Sequence, residues 1–116
     1  RPPKVILDFH YQDGLLFIVV ENIGSEPAYG VSVKFDKKIA GAGGERVISS
    51  LKLFQALAFL PPAKRIRVFV DSFESYVARG EPLVVRATIA YRDQENKSYS
   101  NRIKHDISAY QGITEA

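Results

Sequence analysis

An all-β fold of two antiparallel sheets is predicted for this chain on three observations. Apolar and polar residues alternate in several short stretches, which is the period of a half-buried strand. Glycine, proline and asparagine separate those stretches as turn residues. No stretch has the apolar spacing of a convincing amphipathic helix. The elements are taken below in chain order.

The first two strands are predicted to form a hairpin. Residues 4–11 (KVILDFHY) mix β-branched and aromatic side chains, and residues 15–20 (LLFIVV) are strongly apolar. Between them Gln12, Asp13 and Gly14 provide a turn. The two stretches should therefore pair antiparallel.

Residues 29–35 form the clearest half-buried strand, and a glycine-rich segment follows it. Val31, Val33 and Phe35 share one parity in the strand, which excludes a helix there. Residues 36–46 contain Gly41, Gly43 and Gly44 with two lysines, a composition that predicts a long mobile loop without packing.

The middle of the chain is the hardest part to interpret. Residues 47–60 (VISSLKLFQALAFL) have helical propensity, yet they end at two prolines without a clear cap, so one or two short strands are predicted. Residues 64–71 (KRIRVFVD) alternate basic and apolar side chains as a strand does. Residues 72–82 are predicted to form the connection to the next strand, with one helical turn near residues 73–76.

The last two strands are predicted to form a second hairpin. Residues 83–92 alternate, and the polar stretch DQENK joins them to residues 98–107. About seven short strands without a long helix are typical of a two-sheet antiparallel β-sandwich of immunoglobulin type. A small barrel is the alternative.

Length and composition bound the class of protein. The 116 residues suit a single domain, residues 1–116, with 46% apolar and 25% charged residues, which is typical of a globular chain. No stretch is long and apolar enough for a membrane-spanning helix. Cysteine is absent, which excludes disulfides, cysteine nucleophiles and thiolate zinc sites but leaves the compartment open. Because Arg1 takes the place of an initiating methionine, we expect a fragment of a longer protein.

A turn motif carries a family resemblance. The segment VENIG, followed by Pro27, Ala28, Val31 and Val33, resembles the signature of CARDB-like domains, immunoglobulin-like sandwich modules of bacteria and archaea. Asn22 can hydrogen-bond the turn backbone, Gly24 can adopt positive φ, Pro27 fixes the exit and Ala28 permits close sheet packing.

A looser likeness spans most of the chain. The chain is similar to uncharacterised bacterial sandwich domains in the order of four segments: Phe59-Leu60-Pro61, the strand of residues 66–70, Tyr91-Arg92-Asp93 and the closing residues 106–110. In some of those domains a membrane segment precedes the sandwich. The resemblance implies a scaffold and transfers no catalytic residue.

Two surface patterns are candidates for binding. If the strands that contain Tyr29, Leu83 and Ser98 share one sheet, a set of basic residues points from its outer face. These residues are Lys34, Arg86, Arg92, Arg102 and Lys104. One interpretation is an ordinary solvated face, partly balanced by three nearby aspartates. The other is a surface for an anionic partner, either an acidic protein or lipid head groups, with nucleic acid disfavoured.

The second pattern is aromatic. Tyr29 and Tyr76, together with Tyr11, are placed near loop ends, where their rings are candidates for contacting a sugar or a peptide. A structural role for the same rings is the competing interpretation.

No motif points to catalysis or to a cofactor. His10 and His105, with Asp8 and Asp106 near them in sequence, lack a predictable third metal ligand. The serines lack a nucleophile elbow, and the glycines lack the lysine and hydroxyl of a phosphate loop. We therefore predict no catalytic residue, no metal and no cofactor.

The predicted function is a non-enzymatic accessory module for protein interaction or structural spacing, within a larger and membrane-tethered or cell-envelope protein. A carbohydrate-binding module that uses loop-end tyrosines is the alternative. An unpaired sheet edge beside the glycine segment predicts a monomer or weak homodimer.

Overall fold

The computed structural model describes residues 2–113 of the chain. Its strands, in chain order, are β1 (Val5–Gln12), β2 (Leu15–Asn22), β3 (Ala28–Phe35), β4 (Ala40–Gly41), β5 (Arg46–Val47), β6 (Leu57–Leu60), β7 (Arg65–Ser72), β8 (Val84–Arg92) and β9 (Ser98–Asp106). The helical segments are α1 (Lys52–Gln55), α2 (Phe73–Ala78) and three 3₁₀ turns at Ala42–Gly44, Ile48–Ser50 and Ile107–Tyr110.

The fold is mostly β, with three antiparallel sheets. One sheet has three strands in the order β1-β2-β7, a second has four in the order β6-β3-β8-β9, and β4 pairs with β5. Both predicted hairpins are present, since β1 pairs with β2 and β8 pairs with β9. The strands β3, β8 and β9 share one sheet, as the prediction of an outer basic face required.

One apolar core draws on both larger sheets. Side chains of alternate positions in β1, β2, β3, β7 and β8 belong to a single buried cluster, together with Phe54, Phe73, Tyr76 and Ile107 from the connecting segments. Burial alternates in β1 and β8 as the period-2 pattern of a strand requires, whereas β2 is buried at every position from Leu16 to Val20. The opposite side of the four-stranded sheet is called here its outer face.

Side chains close one side of the fold. The edge strand β1 leaves carbonyl groups that no strand pairs, and three side chains from the C-terminal part donate to them. Asn101 bonds the Val5 carbonyl at 3.3 Å, His105 Nε2 lies 2.7 Å from the Leu7 carbonyl oxygen, and Tyr110 donates to the Phe9 carbonyl at 3.1 Å. These bonds protect the β1 edge from pairing with another chain.

The glycine segment corrects one prediction. Residues 36–46 were expected to form a loop without packing, but Ile39 and Ala40 are buried and β4 pairs with β5 within and just beyond this stretch. Gly41 lies so close to the Val70 carbonyl that a Cβ there would overlap it. The expectation was wrong because the partners of the segment come from β7 and α2, which are distant in sequence.

The segment of residues 47–60 also differs from expectation. It contains one of the predicted short strands, β6, but a 3₁₀ turn and the single-turn helix α1 precede it. Phe54 in α1 is fully buried and packs edge-on against Phe35, with ring centroids 5.1 Å apart. Burial of this aromatic ring explains why a helical turn forms without a side-chain cap. In contrast, α2 begins at a cap, because the Ser72 hydroxyl accepts from the Ser75 amide.

Candidate functional site

The outer basic face consists of Lys34, Arg86, Arg92, Arg102 and Lys104, all of them exposed. The strand register arranges its residues in rows, because directly opposite residues of an antiparallel pair point the same way. Across β8 and β9, Arg86 is opposite Lys104, which gives the first row. The second row crosses three strands and contains Lys34, Thr88 and Arg102.

Two further rows continue the face along the strands. The third row has only small side chains, because Ser32 on β3 and Ser100 on β9 both oppose Ala90 on β8. The fourth row contains Tyr29, Arg92 and Ser98. The side chains of the face are therefore basic in the first two rows and small in the third. In the fourth row they include one aromatic and one basic side chain.

An open groove follows the first three rows. A concavity of about 590 Å³ is lined by Lys34, Thr88 and both members of the first row, with Arg102 beside them. A second concavity of about 380 Å³ shares Lys34 and Thr88 and extends to Ser32 and Ala90. The helix α1 lines the second one through Phe54 and Gln55. Together the two concavities form one depression along the outer face.

The cations of the first two rows face solvent without ion-pair partners. Among residues 2–113, no carboxylate lies within ion-pairing distance of Lys34, Arg86, Arg102 or Lys104. Their positive charge is therefore available to an anion.

The nearby aspartates are engaged in other contacts. One carboxylate oxygen of Asp36 accepts from the Arg86 amide at 2.9 Å. Hydrogen bonds from the Ser108 hydroxyl and amide lower the pKa of Asp106, and the charge of Lys104 acts in the same direction. Both aspartates therefore cap backbone amides, and they neutralise the cations only in part.

The fourth row joins a basic residue to an aromatic pair. The Arg92 guanidinium lies over Gly30, whose missing side chain leaves the space that it occupies. The rings of Tyr29 and Phe59 are tilted with centroids 5.4 Å apart, and Phe59 is 50% exposed. A shallow concavity of about 200 Å³ adjoins them, lined by Tyr29, Arg92, Asp93, Gln94 and Asn96.

The structure corrects the interpretation of Tyr76. Its side chain is fully buried in α2 and its hydroxyl donates to the Pro82 carbonyl at 2.6 Å. Burial also raises the pKa of Tyr76 well above its ordinary value. Tyr76 is therefore part of the core, and of the two candidate ligand aromatics only Tyr29 lies at the surface.

The predicted turn centres on Asn22, which is fully buried. Its amide nitrogen donates to the carbonyls of Glu26 and Leu60 at 2.8 and 3.0 Å. Its amide oxygen accepts from the amides of Lys4 and Gly24 at 3.2 and 2.9 Å. One side chain thus joins the start of β1, the β2–β3 turn and the end of β6. Sequence reasoning anticipated only its bonds within the turn.

The reason for glycine at position 24 is different from the one predicted. Positive φ is found at other glycines but not at Gly24. A Cβ there would come within 2.5 Å of the Pro2 carbonyl oxygen and 2.6 Å of the Lys4 amide. Gly24 is therefore required by the close approach of the N-terminal segment. Pro27 is half-buried, and Ala28 is fully buried opposite Leu60.

A buried ionic cluster went unnoticed in the sequence. Asp71 in β7 accepts from Arg79 at 2.6 Å and from the Gly43 amide at 2.9 Å. The Arg79 side chain also bonds Glu81 and the Ala40 carbonyl at 3.2 and 3.0 Å. No local motif marks these residues, because the cluster is assembled from β7, the segment after α2 and the glycine segment. Its satisfied hydrogen bonds indicate a structural role.

The two histidines approach one aspartate. Asp8 lies 3.5 Å from His10 and 3.8 Å from His105, whereas Asp106 projects on the opposite face. The second nitrogen of His105 is directed at the Leu7 carbonyl, as described above. Across the described residues 2–113, no three metal-ligating side chains come together. The same residues contain no helix that is long and apolar enough to cross a membrane.

Fold and site together define a mostly β domain with one open, basic, groove-bearing sheet face. The chain belongs to a family described as a domain of unknown function, DUF8453, whose family model matches residues 1–111. Comparisons with curated proteins and with solved structures found no significant match.

Proposed function

We propose that this domain is a non-enzymatic interaction module built on an immunoglobulin-type β-sandwich of the CARDB-like kind. The strand order supports this assignment. The strands β1, β2 and β7 correspond to strands A, B and E of that topology, and β3, β8 and β9 correspond to C, F and G. The remaining strand β6 joins the second sheet beside β3. The turn that carries the resemblance is then the B–C connection, tied by Asn22.

The outer basic face is the proposed binding surface, and an acidic protein is the proposed partner. The observation that carries the proposal is the row of Lys34 and Arg102 beside the opposed pair Arg86 and Lys104, all without ion-pair partners in residues 2–113. Cations and hydroxyl donors bind and orient anions, which is what an interaction surface for an acidic partner requires.

Charge reversal tests the proposal. The domain is titrated with a fluorescein-labelled polyglutamate peptide, followed by fluorescence anisotropy, and the K34E/R102E variant is compared with wild type. Each exposed charge pair contributes up to about 1 kcal/mol, so loss of two pairs should weaken binding about tenfold and by no more than about thirtyfold. Binding by wild type should also weaken as salt is added.

A matched control separates the face from net charge. The R46E/K64E variant makes the same charge change at two exposed residues away from the groove. It should retain most of the affinity. Equal losses in the two variants would mean that polyglutamate responds to net charge alone, and the proposed surface would be abandoned.

A carbohydrate site in the fourth row is the second candidate function. The pair of half-buried Tyr29 and exposed Phe59 beside the guanidinium of Arg92 favours it, since sugars stack on aromatic rings and bond planar polar groups. On a glycan array, Tyr29→Ala should lose binding, whereas Phe69→Ala, at an exposed ring of the other sheet, should not. An array on which the wild-type domain binds nothing rules this candidate out.

A further inference from the structure

We propose that the groove of the outer basic face binds an extended segment of its partner, with acidic side chains at positions i, i+2 and i+6. This inference rests on the proposed function and adds the conformation and charge spacing of the partner.

The spacing follows from the strand register. Successive rows are two residues apart along β8 and β9, which is about 6.8 Å, whereas on β3 a bulge separates Ser32 of the third row from Tyr29 of the fourth. The first and second rows are basic, and the fourth lies about 14 Å beyond the second. An extended segment that runs along the strands has the same rise per residue, so the side chains that it directs at the sheet also recur every two residues. Acidic side chains at i, i+2 and i+6 then meet the first, second and fourth rows.

The third row explains the gap in this pattern. Its side chains, Ser32, Ala90 and Ser100, are small and carry no charge. The residue i+4 of the segment faces this row, where an acidic side chain would have no cation. The small floor also lets the backbone of the segment approach the sheet closely.

The width of the groove favours an extended segment over a helix. Gln55 and Phe54 of α1 line the depression, so that less than the full width of the sheet is open beside Ala90. An α-helix with its side chains is about 10–12 Å across, which is more than two strand spacings of about 4.8 Å. An extended chain needs only one such spacing.

Electrostatics of the free domain point the same way. Arg86 and Lys104 are directly opposite across β8 and β9, and like charges in that relation repel. Neither side chain has an ion-pair partner within residues 2–113. An acidic side chain over the first row would relieve this repulsion, which places position i of the segment there.

The test compares peptides of one composition. The first is a serine nonapeptide with glutamates at its second, fourth and eighth positions. The second has its three glutamates adjacent, and the third spaces them three and four residues apart as on one helix face. Because all three have the same charge, any difference in affinity, measured by chemical-shift titration of the domain, reports spacing.

The spaced peptide should bind about fivefold more tightly than either other peptide, as one additional exposed charge pair allows. Arg92→Gln should remove most of this preference while leaving the affinity for the adjacent-glutamate peptide unchanged. Equal binding of all three peptides, or tighter binding of the helix-spaced one, overturns the inference but leaves the proposed function intact.

The proposed function fails in a different way. It fails if no peptide shifts any outer-face resonance while polyglutamate binding is insensitive to K34E/R102E. Binding to phosphatidylserine vesicles in the absence of binding to any peptide would identify a lipid surface instead, and would overturn both proposals.

Discussion

At the scale of single residues, Asn22 stabilises more of the fold than any local motif would suggest. Its side chain satisfies four backbone groups that belong to three separate parts of the chain. Buried backbone groups that lose their partners are costly, since each keeps its desolvation penalty.

Asn22→Ala is therefore expected to lower the free energy of unfolding by about 3 kcal/mol, measured by urea denaturation. Asn101→Ala is the comparison, because it removes two longer bonds of a half-buried side chain and should cost about 1 kcal/mol. Similar losses for both variants would show that Asn22 is an ordinary turn residue.

Tyr76 makes a second prediction at this scale, as a core residue. Tyr76→Phe leaves the Pro82 carbonyl without its donor and should cost about 1 kcal/mol. Tyr76→Ala also opens a cavity and should cost about 3–5 kcal/mol. Thermal and urea unfolding measure the stability losses of both Tyr76 variants. Tyr29→Ala, at the surface, is the control and should change stability little. A Tyr76→Ala variant as stable as wild type would contradict the buried placement.

At the scale of elements, the buried cluster of Asp71, Arg79 and Glu81 holds the glycine segment against β7. Burial acts to raise the pKa of Asp71, but hydrogen bonds from Gly43, Arg79 and Ser72 outweigh it and lower that pKa below its ordinary value. The carboxylate form is thus the one that the fold stabilises.

This direction predicts a pH dependence. A lowered folded pKa contributes stability above the unfolded pKa of about 3.9, and that stability is lost as pH falls through the folded value. Asp71→Asn should therefore be less stable than wild type by about 2 kcal/mol at neutral pH, and the difference should shrink below about pH 4.

Urea denaturation across this pH range measures the effect, and amide exchange at Gly43 should become faster in the variant. Glu45→Gln, an exposed carboxyl of the same segment, is the control and should match wild type throughout. A difference between Asp71→Asn and wild type that is independent of pH would contradict the assigned ionisation.

At the scale of the whole molecule, the outer basic face places like charges side by side at some cost in stability. Arg86 and Lys104 oppose each other, and Asp36 and Asp106 offset their charge only in part, so the free domain retains some repulsion between them. Such an arrangement fits a surface whose charge is complemented by a partner.

Lys104→Gln should therefore raise the urea midpoint of the free domain slightly while weakening its binding to the acidic peptides. Lys52→Gln, at an exposed lysine of α1, should change neither. If Lys104→Gln lowered the midpoint instead, the repulsion would be negligible and the electrostatic argument for the first row would fall.

Periodicity explains how much of the molecule was predictable. The alternation in residues 29–35 and 83–92 assigns Lys34 and Arg86 to an outward parity, and local turn residues predict both hairpins. These features depend on neighbours in sequence, so the sequence alone determines them.

Only the tertiary structure decided which residues meet. It placed Arg92 beside Tyr29, buried Tyr76, and brought Asp71 to the glycine segment. The physical reason is that parity along a strand is local, whereas register between distant strands depends on packing of the whole core. The sequence thus determined which side chains face outward, and the fold decided that they line one groove.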